Sequence, residues 1–109
     1  MFDGHGGSTC SDFLKDNLHN FVTKDPSFPS DCETAIKRGF AEAERVFCSK
    51  AIENKDELDT SGSCAVVLLL VDETCYLVNV GDSRAVCSMN YGNISKSLTR
   101  DHKPCDVLE

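Results

Sequence analysis

The sequence has no apolar run long enough to cross a bilayer. The longest, Cys64 to Val71, falls far short of the roughly 20 residues that a membrane-spanning helix needs. It has no basic stripe either. Eleven Lys and Arg are scattered among eighteen Asp and Glu, leaving a net charge of −7. An acidic chain repels a phosphate backbone, which argues against nucleic-acid binding. The opening Met1-Phe2-Asp3-Gly4 has the pattern of neither a signal peptide nor a transit peptide. There is no C-x-x-C pair among the seven cysteines, Cys10, Cys32, Cys48, Cys64, Cys75, Cys87 and Cys105, and none has a histidine at zinc-ligand spacing. A structural zinc site is therefore not expected. An odd cysteine count without a secretion signal points to reduced thiols in an intracellular protein, cytoplasmic or nuclear. In that setting Asn93-Ile94-Ser95, although a glycosylation sequon, reads as a plain loop. Internal repeats and low-complexity segments are absent.

What is present is a globular composition: 40% hydrophobic and 27% charged residues in a chain of 109, enough apolar surface to offset chain entropy in one domain. Two helical stretches come first. Ser8 to Val22 places Phe13, Leu14, Leu18 and Phe21 on one face, with Ser8 or Thr9 as cap. Lys24 to Pro29 breaks that helix. Ser30-Asp31-Cys32-Glu33 has the form of a capping box for a second helix, running to about Asn54 and burying Ile36, Phe40, Ala43 and Phe47. Gly39 in its middle marks a close helix contact. Glu53 to Gly62 reads as an exposed loop. The remainder is β structure. Ser63 to Val71 reads as a strand buried on both faces, Asp72-Glu73 as a tight turn and Thr74 to Val80 as a second strand. After a turn at Gly81-Asp82, Ser83 to Met89 reads as the third strand of an antiparallel meander, with a short strand around Ser97-Leu98-Thr99 beyond it. The order of helices then strands predicts an α+β fold with two helices packed on an antiparallel sheet.

Two segments carry candidate chemistry. Asp3-Gly4-His5-Gly6-Gly7 puts a carboxylate, a flexible carbonyl and an imidazole within three residues. Hard cations such as Mg²⁺ or Mn²⁺ favour carboxylate, carbonyl and water oxygens. A histidine titrates near neutrality and suits proton donation to a leaving group. The helix N-terminus that follows presents free N–H groups to anions. The bland alternative is a glycine-rich turn that joins a strand to a helix. Val80-Gly81-Asp82-Ser83-Arg84-Ala85-Val86 is a second, weaker motif, because an Asp in a tight turn often only satisfies backbone N–H groups. Ser61-Gly62-Ser63-Cys64-Ala65 and Leu98-Thr99-Arg100-Asp101-His102-Lys103-Pro104 are weaker still when taken singly.

In this order and at these spacings the segments resemble the protein phosphatase 2C family. Its pattern runs DGHGG, two helices, SGSTA, a hydrophobic strand, a GDSRA turn and a DHKP loop. The resemblance extends from Asp3 to Pro104, with Cys64 standing where the family usually has Thr. It implies an α-β-β-α layered fold, of which this chain would form part: two helices on an antiparallel sheet of a truncated β-sandwich. It implies phosphoserine and phosphothreonine hydrolysis by a metal-activated water, with two Mg²⁺ or Mn²⁺ ions and a third, weaker site. Asp3 would bridge two metals, Gly4 would give a carbonyl ligand, and Asp82 would help to bind the third metal. His5 would be the general acid, and Arg84 would support its turn. Phosphorylated proteins would be the substrates. No phosphate loop of the Cys-x5-Arg type is expected, and no cysteine nucleophile is needed.

The family also has a phosphate-binding Arg and an acidic metal ligand before DGHGG, where this sequence has Met1 and Phe2, and two more metal-binding aspartates beyond the DHKP loop. Residues 1–109 are thus expected to form a single, incomplete phosphatase domain. The alternative is a catalytically inactive, phosphatase-like binding module.

Overall fold

A computed structural model describes residues 1–53 and 59–104. The elements in order are β1 (Phe2–His5), α1 (Thr9–Thr23), α2 (Cys32–Glu53), β2 (Gly62–Val71), β3 (Thr74–Val80), β4 (Val86–Met89) and β5 (Ile94–Ser97). The fold is α+β, with two helices and two antiparallel sheets. β1, β2 and β3 form one sheet in that order, and β4 and β5 form a second. The chain divides into two compact units, Phe2–Ser63 on one hand and Met1 with the chain from Cys64 onward on the other. Half of the expected loop between α2 and β2, residues 54–58, lies outside the described residues.

The first unit is built on a helical hairpin. Leu18 and Val22 of α1 and Cys32, Ala35, Ile36 and Ala43 of α2 are its buried hydrophobic residues. Of the residues expected in this core, Leu18, Ile36 and Ala43 are buried, while Phe13, Leu14, Phe21, Phe40 and Phe47 are half-buried. Phe13 instead joins an aromatic row, with ring centroids 6.3 Å from Phe21 and 5.4 Å from Phe47. The Lys50 ammonium lies 5.2 Å from the Phe13 ring centre. Gly39 is a point of close approach, as expected: a Cβ there would lie 2.6 Å from Val22 Cγ2 and 3.0 Å from the Val22 backbone nitrogen.

The cap of α2 differs in detail from the expected box. Asp31 is the capping residue. Its carbonyl accepts the Ala35 N–H, and its carboxylate accepts the Thr34 N–H at 3.2 Å and the Thr34 hydroxyl at 2.7 Å. These bonds hold the Asp31 carboxyl below its usual range. Ser30 turns back to Ser27, and Glu33 pairs with Lys37 one turn on. The start of the helix lies one residue later than the box pattern implies, so the Glu misses the position from which it could reach back.

In the second unit β2 and β3 form a hairpin from Ala65↔Val80 to Val71↔Thr74. Its two-residue loop is Asp72-Glu73, with Asp72 at φ 52°, a left-handed value that Asp tolerates better than most residues. Met1 and Val66 exchange both backbone bonds, as a closely spaced antiparallel pair does. Two expectations fail here. β2 is not buried on both faces: Ala65 is buried, but Leu68 and Leu70 are 61% and 69% exposed. Unbroken apolar sequence marks a strand suited to two covered faces, but here the face of Leu68 and Leu70 is open and on the other face only Ala65 is buried. The meander also fails. β4 leaves β3 and pairs with β5 through Val86↔Ser97 to Met89↔Ile94, because the chain between β3 and β4 is bonded elsewhere, as the next subsection shows. The last strand accordingly covers Ile94–Ser97 rather than centring on Leu98.

Candidate functional site

Asp3, Gly4 and His5 stand together, exposed, in β1 of the first unit. The chain then turns from strand to helix through Gly6 at φ 66° and Gly7 at φ 121°, values that an L-residue with a side chain rarely adopts. Gly4 is needed for space. A Cβ on it would sit 2.7 Å from Ser11 Oγ and 3.2 Å from the Gly7 carbonyl. Ser8 occupies the cap position of α1, but its side chain makes no capping bond. Its carbonyl accepts the Asp12 N–H and the Ser11 hydroxyl, both at 2.9 Å.

The chain before β2 fastens this turn. The nearly buried Ser61 accepts the Cys10 N–H on its hydroxyl at 3.1 Å and donates its own N–H to Asp59 at 2.8 Å. Hydrogen bonds from Ser61 first, then from Thr9, hold the Asp59 carboxyl below its usual range. One of the N–H groups expected to serve an anion is thereby taken by Ser61. Gly62 gives His5 its place: a Cβ on Gly62 would lie 2.9 Å from His5 Cε1 and 3.3 Å from Cδ2, inside the imidazole's van der Waals shell. Sequence reasoning singled out Ser61 and Gly62 only as part of a weak motif, and missed Asp59. Their signal is the S-G-S run itself, in which a hydroxyl and a missing side chain serve two different neighbours.

In the second unit Asp82 follows Gly81, which has φ 107° and leaves no room for a Cβ against Cys64. The Cys64 thiol donates to Asp82 Oδ1 at 3.5 Å. This turn is laced to the Leu98–Pro104 segment. Arg84 grips Asp101 through two bonds of 2.8 Å. The His102 N–H donates to the Gly81 carbonyl at 2.9 Å, and the Gly81 N–H donates to His102 Nδ1 at 3.3 Å. Asn79 donates to the carbonyls of Gly81 and Arg100 at 3.2 and 2.8 Å, while its own buried Oδ1 meets no hydrogen-bond donor among the described residues. The Ala85 N–H donates to Thr99 Oγ1 at 3.0 Å, and the Leu98 N–H to the Ala85 carbonyl at 2.9 Å. The guanidinium of Arg84 lowers the Asp101 pKa, chiefly by hydrogen bonding. Arg84 supports the turn, as expected.

The oxygen donors of Asp3, Gly4 and Asp82 are of the kind that Mg²⁺ or Mn²⁺ takes. In number they fall short. Among the described residues no group of three or more His, Cys, Asp or Glu gathers into a metal-binding cluster.

A cysteine mechanism finds no support. Cys32 and Arg38 do stand at Cys-x5-Arg spacing, contrary to the expectation from sequence, but both lie in the continuous helix α2 and form no phosphate loop. The Cys32 thiol is buried and bonds the Pro29 carbonyl, and Arg38 bonds Ser27 and pairs with Asp25. Arg38 and Asp25, with Asn17, Asn20, Phe21 and Arg45, line an open groove of about 740 Å³ on the helical hairpin.

The model of the protein phosphatase 2C family matches residues 1–109. Among curated proteins the chain is 33% identical over its full length to "Probable protein phosphatase 2C 54" of Oryza sativa subsp. japonica, covering 28% of that protein. It is 36% identical over 95% of its length to "Probable protein phosphatase 2C 76" of Arabidopsis thaliana, covering 24% of it. It is 38% identical over 95% of its length to "Protein phosphatase 2C homolog 2" of Hypocrea jecorina (strain QM6a), covering 23% of it. The chain spans about a quarter of the length of these relatives. With a family match from first residue to last, and the DGHGG, SGS-A, GDSRA and DHKP segments each in a defined structural place, the chain belongs to the protein phosphatase 2C family.

Proposed function

We propose that this chain contributes the proton-donating and part of the metal-binding machinery of a metal-dependent protein serine/threonine phosphatase. The observation that carries the reading is the strand-to-helix turn at Asp3-Gly4-His5, fixed by Gly4, Ser61 and Gly62, in a chain of this family. Asp3 offers a carboxylate and Gly4 a carbonyl to Mg²⁺ or Mn²⁺, and Asp82 a carboxylate to a weaker site. A divalent cation supplies an acidified water and neutralises phosphate charge in such chemistry. His5 supplies the other requirement. The oxygen leaving a phosphoserine or phosphothreonine is a poor leaving group as the alkoxide, and a proton delivered by the imidazole makes it an alcohol. Gly62 keeps the space that the ring occupies.

The test replaces the matching segment of an active 2C relative with this chain and measures Mn²⁺-stimulated phosphate release from a phosphothreonine peptide and from an aryl phosphate. The expected result is activity on both. His5→Ala should lower the peptide rate by about 10²–10⁴-fold. The aryl substrate, whose leaving group needs little protonation, should be affected much less. Equal losses on both substrates would remove the general-acid role. A folded but dead chimera would favour the reading of the segment as a non-catalytic binding module.

A further inference from the structure

The Gly81-Asp82 turn rests on the side chain of Cys64. The ladder of β2 and β3 ends at Ala65↔Val80, so the next residue of each strand, Cys64 and Gly81, meet across the end of the hairpin. The approach is close: a Cβ on Gly81 would lie 2.9 Å from Cys64 Cβ and 3.4 Å from its Cα. The peptide groups of Gly81 are held as well. Its carbonyl accepts the His102 N–H and the Asn79 amide, and its N–H donates to His102 Nδ1. These contacts fix where Asp82 starts, but not where its carboxylate points. Asp82 is exposed, and Arg84, two residues on, gives its guanidinium to Asp101. Among the described residues the hydrogen-bond partner of the Asp82 carboxylate is the Cys64 thiol, which donates to Oδ1 at 3.5 Å.

We propose that Cys64 is a positioning residue for the weaker cation site: its thiol takes Asp82 Oδ1 and leaves Oδ2 to the cation. The proposal rests on the reading of Asp82 as a cation ligand. Its physical reason is the order that a ligating carboxylate needs. A free Asp side chain samples several rotamers, and a cation that binds it must select one. A donor on one oxygen selects the rotamer beforehand and leaves the second oxygen its lone pairs. A thiol is a weak donor, so the restriction is modest and suits a weak site. Gly81 makes the arrangement possible, because a side chain there would push Cys64 away from the turn. A Cys64 that only filled space beneath Gly81 could be replaced by any side chain of equal shape. A Cys64 that orients Asp82 could be replaced only by one that still donates a hydrogen bond.

The test compares Cys64→Thr with Cys64→Val, two side chains of one shape that differ in a hydroxyl donor. The first measurement, on the isotope-labelled chain without metal, reads the three-bond couplings of the Asp82 side chain by NMR, with the Gly81 amide shift as the check that the turn is intact. One dominant Asp82 rotamer is expected in the wild-type chain and in Cys64→Thr, and averaged couplings in Cys64→Val. The second measurement titrates the metal-free chimera described above with Mn²⁺ and follows free Mn²⁺ by electron paramagnetic resonance. Cys64→Val should weaken the weaker site about 10-fold, and Cys64→Thr should leave it near the wild-type value. Averaged Asp82 couplings in the wild-type chain, or equal behaviour of the two variants, would overturn the proposal and leave Asp82 as a ligand. Asp82→Asn separates the two readings. A Mn²⁺ titration unchanged by that substitution would remove Asp82 from the cation site, and the proposal with it.

Discussion

At Gly39 the packing leaves no room for a methyl group, because Val22 presents both its side chain and its backbone there. Gly39→Ala gains helix propensity of up to about 1 kcal/mol. It also forces α1 and α2 apart, at a cost of about 1–3 kcal/mol. The side-chain contact and the backbone contact act together, so the variant should be less stable, read as a lower urea midpoint at unchanged slope. Gly62→Ala is a different case. The clash there falls on the His5 ring, so the prediction is a displaced imidazole, seen as altered His5 ring shifts by NMR, with much of the fold's stability retained. Both effects begin in glycines, yet only Gly39 was legible from the sequence, as a glycine in the middle of an amphipathic helix. The part played by Gly62 depends on a ring 57 positions earlier in the chain, from His5 to Gly62, which no local pattern encodes.

The most densely bonded element is the pairing of the Gly81–Ala85 turn with the Leu98–His102 segment. Its bonds differ in worth. Arg84 and Asp101 form a two-pronged grip, but the guanidinium stands in solvent, so Arg84→Ala should lower stability only slightly and less still at high salt. Asn79 holds two carbonyls from a partly buried position, so Asn79→Ala should cost about 1–3 kcal/mol, visible in thermal denaturation. The order matters more than the sizes: if Arg84→Ala proves the worse of the two, the lacing depends on the ion pair and not on the amide. The helices were legible from sequence to within a residue or two, because apolar spacing, Pro26 and Pro29, and Asp31 all agree. The strand pattern misled where it assumed that consecutive strands pair. β4 is diverted because Ala85 bonds Thr99 and Leu98, a pairing set by hydrogen-bonding side chains and not by hydrophobic alternation.

Across the whole molecule, acid should unfold the chain in a way that follows its lowered carboxyls. Asp31, Glu42, Asp59 and Asp101 all titrate below their usual values, held there by hydrogen bonds from Thr34, Arg45, Ser61 and Arg84 respectively. A depressed folded-state value means that the unfolded chain takes up protons first. Their stabilisation is therefore complete above the ordinary carboxyl range of about pH 4 and is lost as pH falls through the lowered folded values. A flat urea midpoint from neutral pH down to about pH 5, then a steady fall, is expected. The family was legible in the DGHGG, GDSRA and DHKP spacing. A full metal site was not: among the described residues no group of three or more His, Cys, Asp or Glu gathers into a metal-binding cluster. The central claim is that Asp3 holds the cation for phosphate hydrolysis, and the most direct measurement is Mn²⁺-dependent phosphate release by the chimera with Asp3 and with Asp3→Asn. The account predicts saturable Mn²⁺ activation with Asp3, and for Asp3→Asn a rate lowered by about 10²-fold or more with weakened Mn²⁺ affinity. An Asp3→Asn protein that keeps both its rate and its Mn²⁺ dependence would contradict it.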